Sequence, residues 1–142
     1  AALDYIASIA SDSAVGPIDG YSGRQLAYKQ AMTSMVEYER ELATKLIDAL
    51  SGLPGLTNAG ITDPAKYDER VPTVAFRMEN YTPAAIAQHL AKHDIYVWSG
   101  HYYAIEIMKR LGLEDEGMVR VGMAHYNTLD EIDRLTDALK TL

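Results

Sequence analysis

The chain has 142 residues, enough for one domain with a hydrophobic core of its own. Hydrophobic residues make up 48%, which argues against disorder, and a net charge of −7 without a basic run argues against nucleic-acid binding, since neutralising phosphates needs clustered Lys or Arg. The absence of cysteine excludes disulfides, thiolate metal sites and a thiol nucleophile.

No apolar run approaches the ~18 residues of a membrane span. No signal-peptide pattern is present either, so the expected setting is the cytoplasm, away from membranes.

The chain opens on AALDYIASIA, helix-like, with Leu3, Ile6 and Ile9 on one stripe. It has no N-cap and reads as a truncated helix. A loop rich in Gly, Pro and Asp follows from Ser11 to Tyr21. The strongest helical signal comes next. Ser22 and Gln25 fit a capping box, and Leu26, Met32, Met35, Val36, Leu42, Leu46, Ile47 and Leu50 continue the apolar stripe. Gly52 and Pro54 stop it. Such a helix is roughly 45 Å long, whereas a compact domain of this length has a radius of gyration near ~15 Å. The expectation is a strut with an apolar strip turned to a partner, so that Met32, Met35, Leu42 and Leu46 are not all covered by this chain.

The rest alternates between short strands and helices. Leu56–Ile61 is expected as an edge strand, and Val71–Met78 alternates with Val74, Phe76 and Met78 on one face. Thr82-Pro83 opens a helix that ends near His93, because Pro suits the first helical position. A strand over Ile95–Trp98, a short helix over Tyr103–Leu111 capped by Gly112, and a strand over Met118–Ala124 come next. Thr128 and Glu131 form a second capping box, opening a helix with Ile132, Leu135, Leu139 and Leu142 on one face. Three or four strands among helices predict an α+β two-layer domain with a small mixed or antiparallel sheet, preceded by one long helix. The expected organisation is one domain over 1–142: a truncated helix and linker over 1–21, the long helix over 22–52 and an α+β body over 56–142. Neither G-x-G-x-x-G nor G-x-x-x-x-G-K-[ST] occurs.

Arg120 is the leading site candidate. Strand alternation puts Val119, Val121 and Met123 on one face and Arg120 with Gly122 on the other. Gly122 leaves room for a ligand or another backbone. An arginine set among apolar neighbours needs an anion, either a ligand or a carboxylate of the protein. His101 stands in a glycine-aromatic loop and is either part of a site or an exposed loop histidine. His89 and His93 have metal-binding spacing, but no third ligand accompanies them, and a solvated helix face is expected; no metal site is predicted. Glu114-Asp115-Glu116 reads as surface, while Tyr102, Tyr103 and Tyr126 are candidates to line a cleft. No catalytic set can be assembled from these parts.

Several motifs in order carry a likeness. Trp98-Ser99-Gly100-His101-Tyr102-Tyr103-Ala104 resembles a loop of the form R-T-G-H-x-C-A, and Arg120 followed by Tyr126-Asn127-Thr128 resembles a strand arginine followed by Y-N-T. Ser51-Gly52-Leu53-Pro54-Gly55-Leu56 and Val71-Pro72-Thr73-Val74-Ala75-Phe76 resemble the L-x-x-L-P-G-V turn and R-x-P-T-V-S-F strand of the same family. These segments are similar to the C-terminal domain of class V aminotransferases, in the cysteine desulfurase-like branch that lacks the cysteine.

The resemblance implies the small domain of a larger pyridoxal-phosphate enzyme acting on an amino acid. The cofactor and its Schiff-base lysine would belong to an N-terminal domain of the same protein, and the full-length enzyme would be a homodimer. Arg120 would bind the substrate carboxylate, for which its fork is suited. His101 would approach the substrate. Tyr103 falls on the desulfurase cysteine position, and a phenol cannot replace a thiolate as sulfur carrier. Trp98 stands where the family has arginine. The chain alone is expected to catalyse nothing, and none of Lys29, Lys45, Lys66, Lys92, Lys109 or Lys140 matches a Schiff-base motif. The competing reading is a free-standing, non-catalytic α+β module that binds a small anion or a protein partner.

Overall fold

A computed structural model describes all 142 residues. Helix α1 spans Ala2–Ile9 and helix α2 spans Gly23–Ser51. Strands β1 (Leu56–Ala59) and β2 (Val74–Met78) precede helix α3 (Pro83–Ala91) and strand β3 (Trp98–Gly100). Helix α4 (Ile105–Leu111), strand β4 (Met118–Val121) and helix α5 (Leu129–Leu139) complete the chain. The four strands form one antiparallel sheet in the order β1-β2-β4-β3.

Pleating sorts the sheet into two faces. Val74, Phe76, Val119 and Val121 point to one, and all are buried. Helices α2, α3 and α5 pack on that side, contributing Leu42, Leu46, Ile47, Leu50, Ile86, Leu90, Ile132, Leu135 and Leu139 to one core. The other face carries Thr57, Ala59, Ala75, Arg77, Met118, Arg120 and Trp98; it lies away from α2, α3 and α5 and is only partly covered, with Thr57 and Trp98 exposed and Met118 buried. This is the expected two-layer α+β domain with a long helix first.

Local chemistry explains most element ends. Thr82 caps α3 through Ala85 N at 3.2 Å, with Pro83 at the first helical position. At α5 the capping box is complete: Glu131 N donates to Thr128 Oγ1 at 3.3 Å, and Thr128 N donates to Glu131 Oε2 at 2.8 Å. Those bonds hold the Glu131 carboxyl below its usual range, the Thr128 backbone N–H first and the Asn127 amide second. Asn127 also closes the turn out of β4, accepting from Ala124 N through Oδ1 at 2.9 Å. The Asn127-Thr128 pair therefore fastens β4 to α5. Gly112 ends α4 in the left-handed region at φ 68°, as its position suggested.

Several expectations need correction. Ser22 makes no side-chain cap bond, because Gly23 beside it turns the chain through φ 53° and breaks the capping geometry. The Val71 strand begins only at Val74: Pro72 has no N–H to pair, and Arg70 instead binds the carbonyls of Val71 (3.3 Å) and Thr73 (2.8 Å). The third strand is not Ile95–Trp98 but Trp98–Gly100. Ile95 and Val97 pack against the core without a strand partner, so they alternate like a strand yet pair with nothing. Strand β4 stops at Val121 rather than Ala124, since its neighbours run out at Val74 and Trp98. The short helix before it starts at Ile105, not Tyr103, which leaves the preceding loop longer.

Helix α2 has 29 residues, about 44 Å at 1.5 Å per residue. Its C-terminal half is in the core. Met35, Leu42 and Leu46 are buried, while Met32 and Val36 are each 50% exposed. The apolar strip expected for a partner thus shrinks to those two side chains, because α1 and its following loop fold back along the N-terminal half. Gln30 Nε2 donates to Val15 O at 2.9 Å, Ser13 and Ser34 hydroxyls meet at 2.6 Å, and Arg24 pairs with Asp4. Leu3 of the α1 stripe stays exposed, with Ile6 and Ile9 only half-buried.

Candidate functional site

The open sheet face holds two arginines in contrasting states. Arg77 is paired with Glu116 at 2.6 Å. Arg120, half-buried in the middle of β4, has no such partner: the ion pairs of the chain engage the N-terminus, Arg24, Lys45, Arg77, Lys109 and Lys140. Its neighbours in register are Ala75 on β2 and Trp98 on β3. Ala75 is small, and Gly122 two residues on has open space where a side chain would begin, so one flank of the guanidinium stays clear.

The other flank is aromatic. Arg120 Cζ lies 4.6 Å from the centroid of the Tyr102 ring and 5.5 Å from that of Trp98, within cation–π range of both. Ring faces draw the cation but accept none of its five N–H donors in the way an oxygen does, so the fork remains free for an oxyanion. The Tyr102 hydroxyl is engaged elsewhere, donating to the carbonyl of Met118 on β4. Burial pushes the Tyr102 phenol well above its ordinary value, and the Arg120 charge offsets this only in part. Tyr102 accordingly stays protonated, as that hydrogen bond requires.

The loop bearing Tyr102 is tightly wound. Gly100, Tyr102 and Tyr103 have φ of 116°, 54° and 60°, and Ala104 N donates to His101 O at 2.8 Å. Two successive left-handed residues other than glycine cost energy and persist only where surroundings hold them. Here Tyr102 is held by Arg120 and Met118. His101 and Tyr103 engage each other instead: Tyr103 N donates to His101 Nδ1 at 3.1 Å, and their rings meet edge-on at 6.0 Å. His101 is exposed, and Tyr103, 86% exposed, projects from the tip. Of the three sequence candidates, then, Arg120 sits on the sheet, while His101 and Tyr103 form their own pair on the loop. Tyr126 is also exposed and meets His125 edge-on, so of the three tyrosines suggested for a cleft only Tyr102 touches Arg120.

Sequence reading missed Trp98 and Tyr102 as partners of Arg120. The signal lay in the register: with β3 beginning at Trp98, that residue falls opposite Arg120 on the same face.

The other candidates resolve into structure. His89 is not fully solvated; its Nε2 lies 2.9 Å from Ala138 O and 3.0 Å from Thr141 Oγ1, tying α3 to α5. No three His, Asp or Glu side chains converge as a metal site would need. Within the acidic turn, Glu116 is the partner of Arg77. A groove of about 870 Å³ lies toward β1, lined by Thr57, Ala59, Arg77, Leu111, Leu113 and Met118 among others. It does not include Arg120. Its two charged side chains that pair, Arg77 and Glu116, neutralise each other, so the chemistry is better located by the unpaired guanidinium.

The family model that matches this chain is aminotransferase class-V, over residues 23–135. The chain belongs to the class-V aminotransferase family. An aminotransferase-like protein of Gibberella zeae is 34% identical over 137 residues, 94% of this chain and 33% of that protein. A cysteine desulfurase of Synechococcus elongatus is 35% identical over 122 residues, 84% of this chain and 18% of that one. Among solved structures, the apo cysteine desulfurase of Thermococcus onnurineus superposes with a TM-score of 0.71 at 23% identity, covering 86% of this chain and 32% of that chain. The Escherichia coli cysteine desulfurase CsdA gives 0.67 at 22%, covering 86% and 31%. Both share the fold. The chain spans a third or less of these relatives.

Class-V aminotransferases depend on pyridoxal phosphate, which needs a lysine and a phosphate cradle. The residues present do not fit that group by themselves. Lys45, Lys109 and Lys140 are paired with Asp133, Glu106 and Asp137, Lys29 rests over Tyr21, and Lys66 and Lys92 are exposed. What this chain offers is a half-buried guanidinium without an acidic partner, on the sheet face that points away from the core helices.

Proposed function

We propose that this chain is the small, C-terminal domain of a class-V aminotransferase-type enzyme acting on an amino acid, and that Arg120 anchors the substrate carboxylate. The observation that carries the reading is a half-buried arginine without an acidic partner, seated by two aromatic rings on the sheet face that points away from the core helices. An N-terminal domain of the same protein would supply pyridoxal phosphate and its lysine, and would cover that face; the whole enzyme would be a homodimer. Residues 1–142 act together as one domain, with α2 joining the body to its surroundings.

The role of Arg120 is binding and orientation. Two parallel N–H donors meet the two carboxylate oxygens, fixing the α-carbon relative to groups brought by the rest of the protein. His101 and Tyr103 line the approach from the loop. Sulfur transfer through a persulfide on this loop has no place in the reading, since cysteine is absent and Tyr103 occupies the tip.

Arg120→Lys in the whole protein tests the assignment. Lysine keeps the charge and loses the two-pronged geometry. A charge-assisted hydrogen bond contributes roughly 1.5–3 kcal/mol, so kcat/KM is expected to fall about 10- to 150-fold. The melting temperature should hardly move, because Arg120 joins no ion pair within the domain. Unchanged activity with a collapse in stability would mean that Arg120 is structural.

A further inference from the structure

The aromatic corner around Arg120 bears on which carboxylates the site accepts. Trp98 lies opposite Arg120 on β3 and leaves 56% of its surface exposed after contacting the guanidinium. Tyr102 differs: its hydroxyl is committed to Met118 O and its ring lies nearer the cation. One ring is thus fixed beneath the fork, while the other presents free indole beside it. The exposed side chains that follow along the chain are mixed, His101 and Tyr103 on the loop and then Ile105, Glu106 and Ile107 on α4, so the indole is the apolar surface that the geometry places beside the fork.

Among this chain's own strand residues the face has no second free cation. Arg77 is already neutralised by Glu116, and the Glu116 carboxylate would repel an added one. A ligand carboxylate at Arg120 therefore has the exposed indole on one side and, within this chain, an already neutralised arginine on the other.

We propose that Trp98 and Tyr102 are positioning and specificity residues for Arg120: Tyr102 sets the direction of the guanidinium fork, and Trp98 selects amino acids with apolar or aromatic side chains over dicarboxylic ones. The proposal rests on the reading of Arg120 as carboxylate anchor and deepens it. A cation over a ring is worth about 0.5 to 2 kcal/mol, equivalent to roughly 2- to 30-fold in affinity. The indole adds apolar contact that only an apolar side chain can use.

The test is calorimetric titration of the whole protein with L-phenylalanine and with L-aspartate, for the wild type and for Trp98→Ala, Trp98→Phe, Tyr102→Ala, Tyr102→Phe and Arg120→Lys. L-phenylalanine should bind more tightly than L-aspartate. Trp98→Ala should weaken L-phenylalanine about 3- to 30-fold while leaving L-aspartate nearly unchanged, and Trp98→Phe should restore most of the loss. Tyr102→Ala should weaken both ligands alike, whereas Tyr102→Phe, which keeps the ring, should stay within about 3-fold of wild type. Absence of saturable L-phenylalanine binding, an equal affinity for L-aspartate, or Ala variants that leave both ligands unaffected would overturn the proposal. So would Tyr102→Phe being as damaging as Tyr102→Ala, which would make the hydroxyl, and not the ring, the operative group. Arg120→Lys separates the two levels. If it weakens both amino acids while Trp98→Ala leaves their ratio unchanged, the selectivity proposal alone fails; if it weakens neither, the anchor reading fails with it.

Discussion

Gly117→Ala is expected to destabilise the domain by more than about 4 kcal/mol, at the exceptional end for a single substitution. Gly117 is buried where β4 begins, with φ 69°. A Cβ there would lie 2.7 Å from Gly100 Cα and nearer still to the Gly100 carbonyl. The obstacle is backbone, which cannot rotate aside like a side chain. Relief requires β3 to move off β4, taking with it the pairing of Trp98 with Arg120 and the root of the His101–Tyr103 loop. The left-handed φ adds its own penalty for any residue with a Cβ. Urea unfolding of Gly117→Ala beside Gly122→Ala isolates the cause, because a Cβ at Gly122 meets nothing within 4 Å. The second variant should unfold near the wild type. Equal midpoints for both would show that the β3–β4 approach is looser than described.

Phe76→Ala should cost about 3–5 kcal/mol. Phe76, the only phenylalanine, is fully buried in the middle of β2 and faces α2, α3 and α5 with Val119 beside it. Removing the ring loses its transfer free energy and leaves a cavity that rigid strands on either side cannot collapse. For a domain of this size the melting temperature should drop by roughly 10–20 °C. Arg77→Ala, one residue along but on the bare face, breaks a half-exposed ion pair and should change stability by less than about 1 kcal/mol. A similar loss for both would contradict the assignment of faces.

Features with local causes were legible in the sequence. The Thr128–Glu131 box, the Thr82-Pro83 start and the Gly112 stop each depend on residues within one turn, and each formed as read. The alternation around Arg120 was legible too, since Val119 and Val121 are buried and Arg120 is on the opposite face. Features that depend on a distant partner were not. Ile95 and Val97 alternate like a strand, but whether a strand forms depends on where β4 lies, and it lies beside Trp98 to Gly100. The same shift concealed the contact of Trp98 with Arg120. Ser22 failed as a cap because Gly23 adopts a left-handed conformation that composition cannot reveal. Met35 is buried in the stretch of α2 along which α1 and the loop after it fold back, a long-range contact with no signature in the helical period. The role proposed for Arg120 comes from the family likeness and not from spacing; an unpaired arginine alone points only to an anion.

The most direct test of the central claim is a crystal structure of the whole protein with an amino-acid substrate or a non-reactive carboxylate analogue bound. The expected result is a two-pronged contact between the carboxylate and the Arg120 guanidinium, with both N–H···O distances near ~2.8 Å and the guanidinium still over Tyr102. An Asp or Glu from elsewhere in the protein paired with Arg120, and the ligand carboxylate held by a different residue, would contradict it.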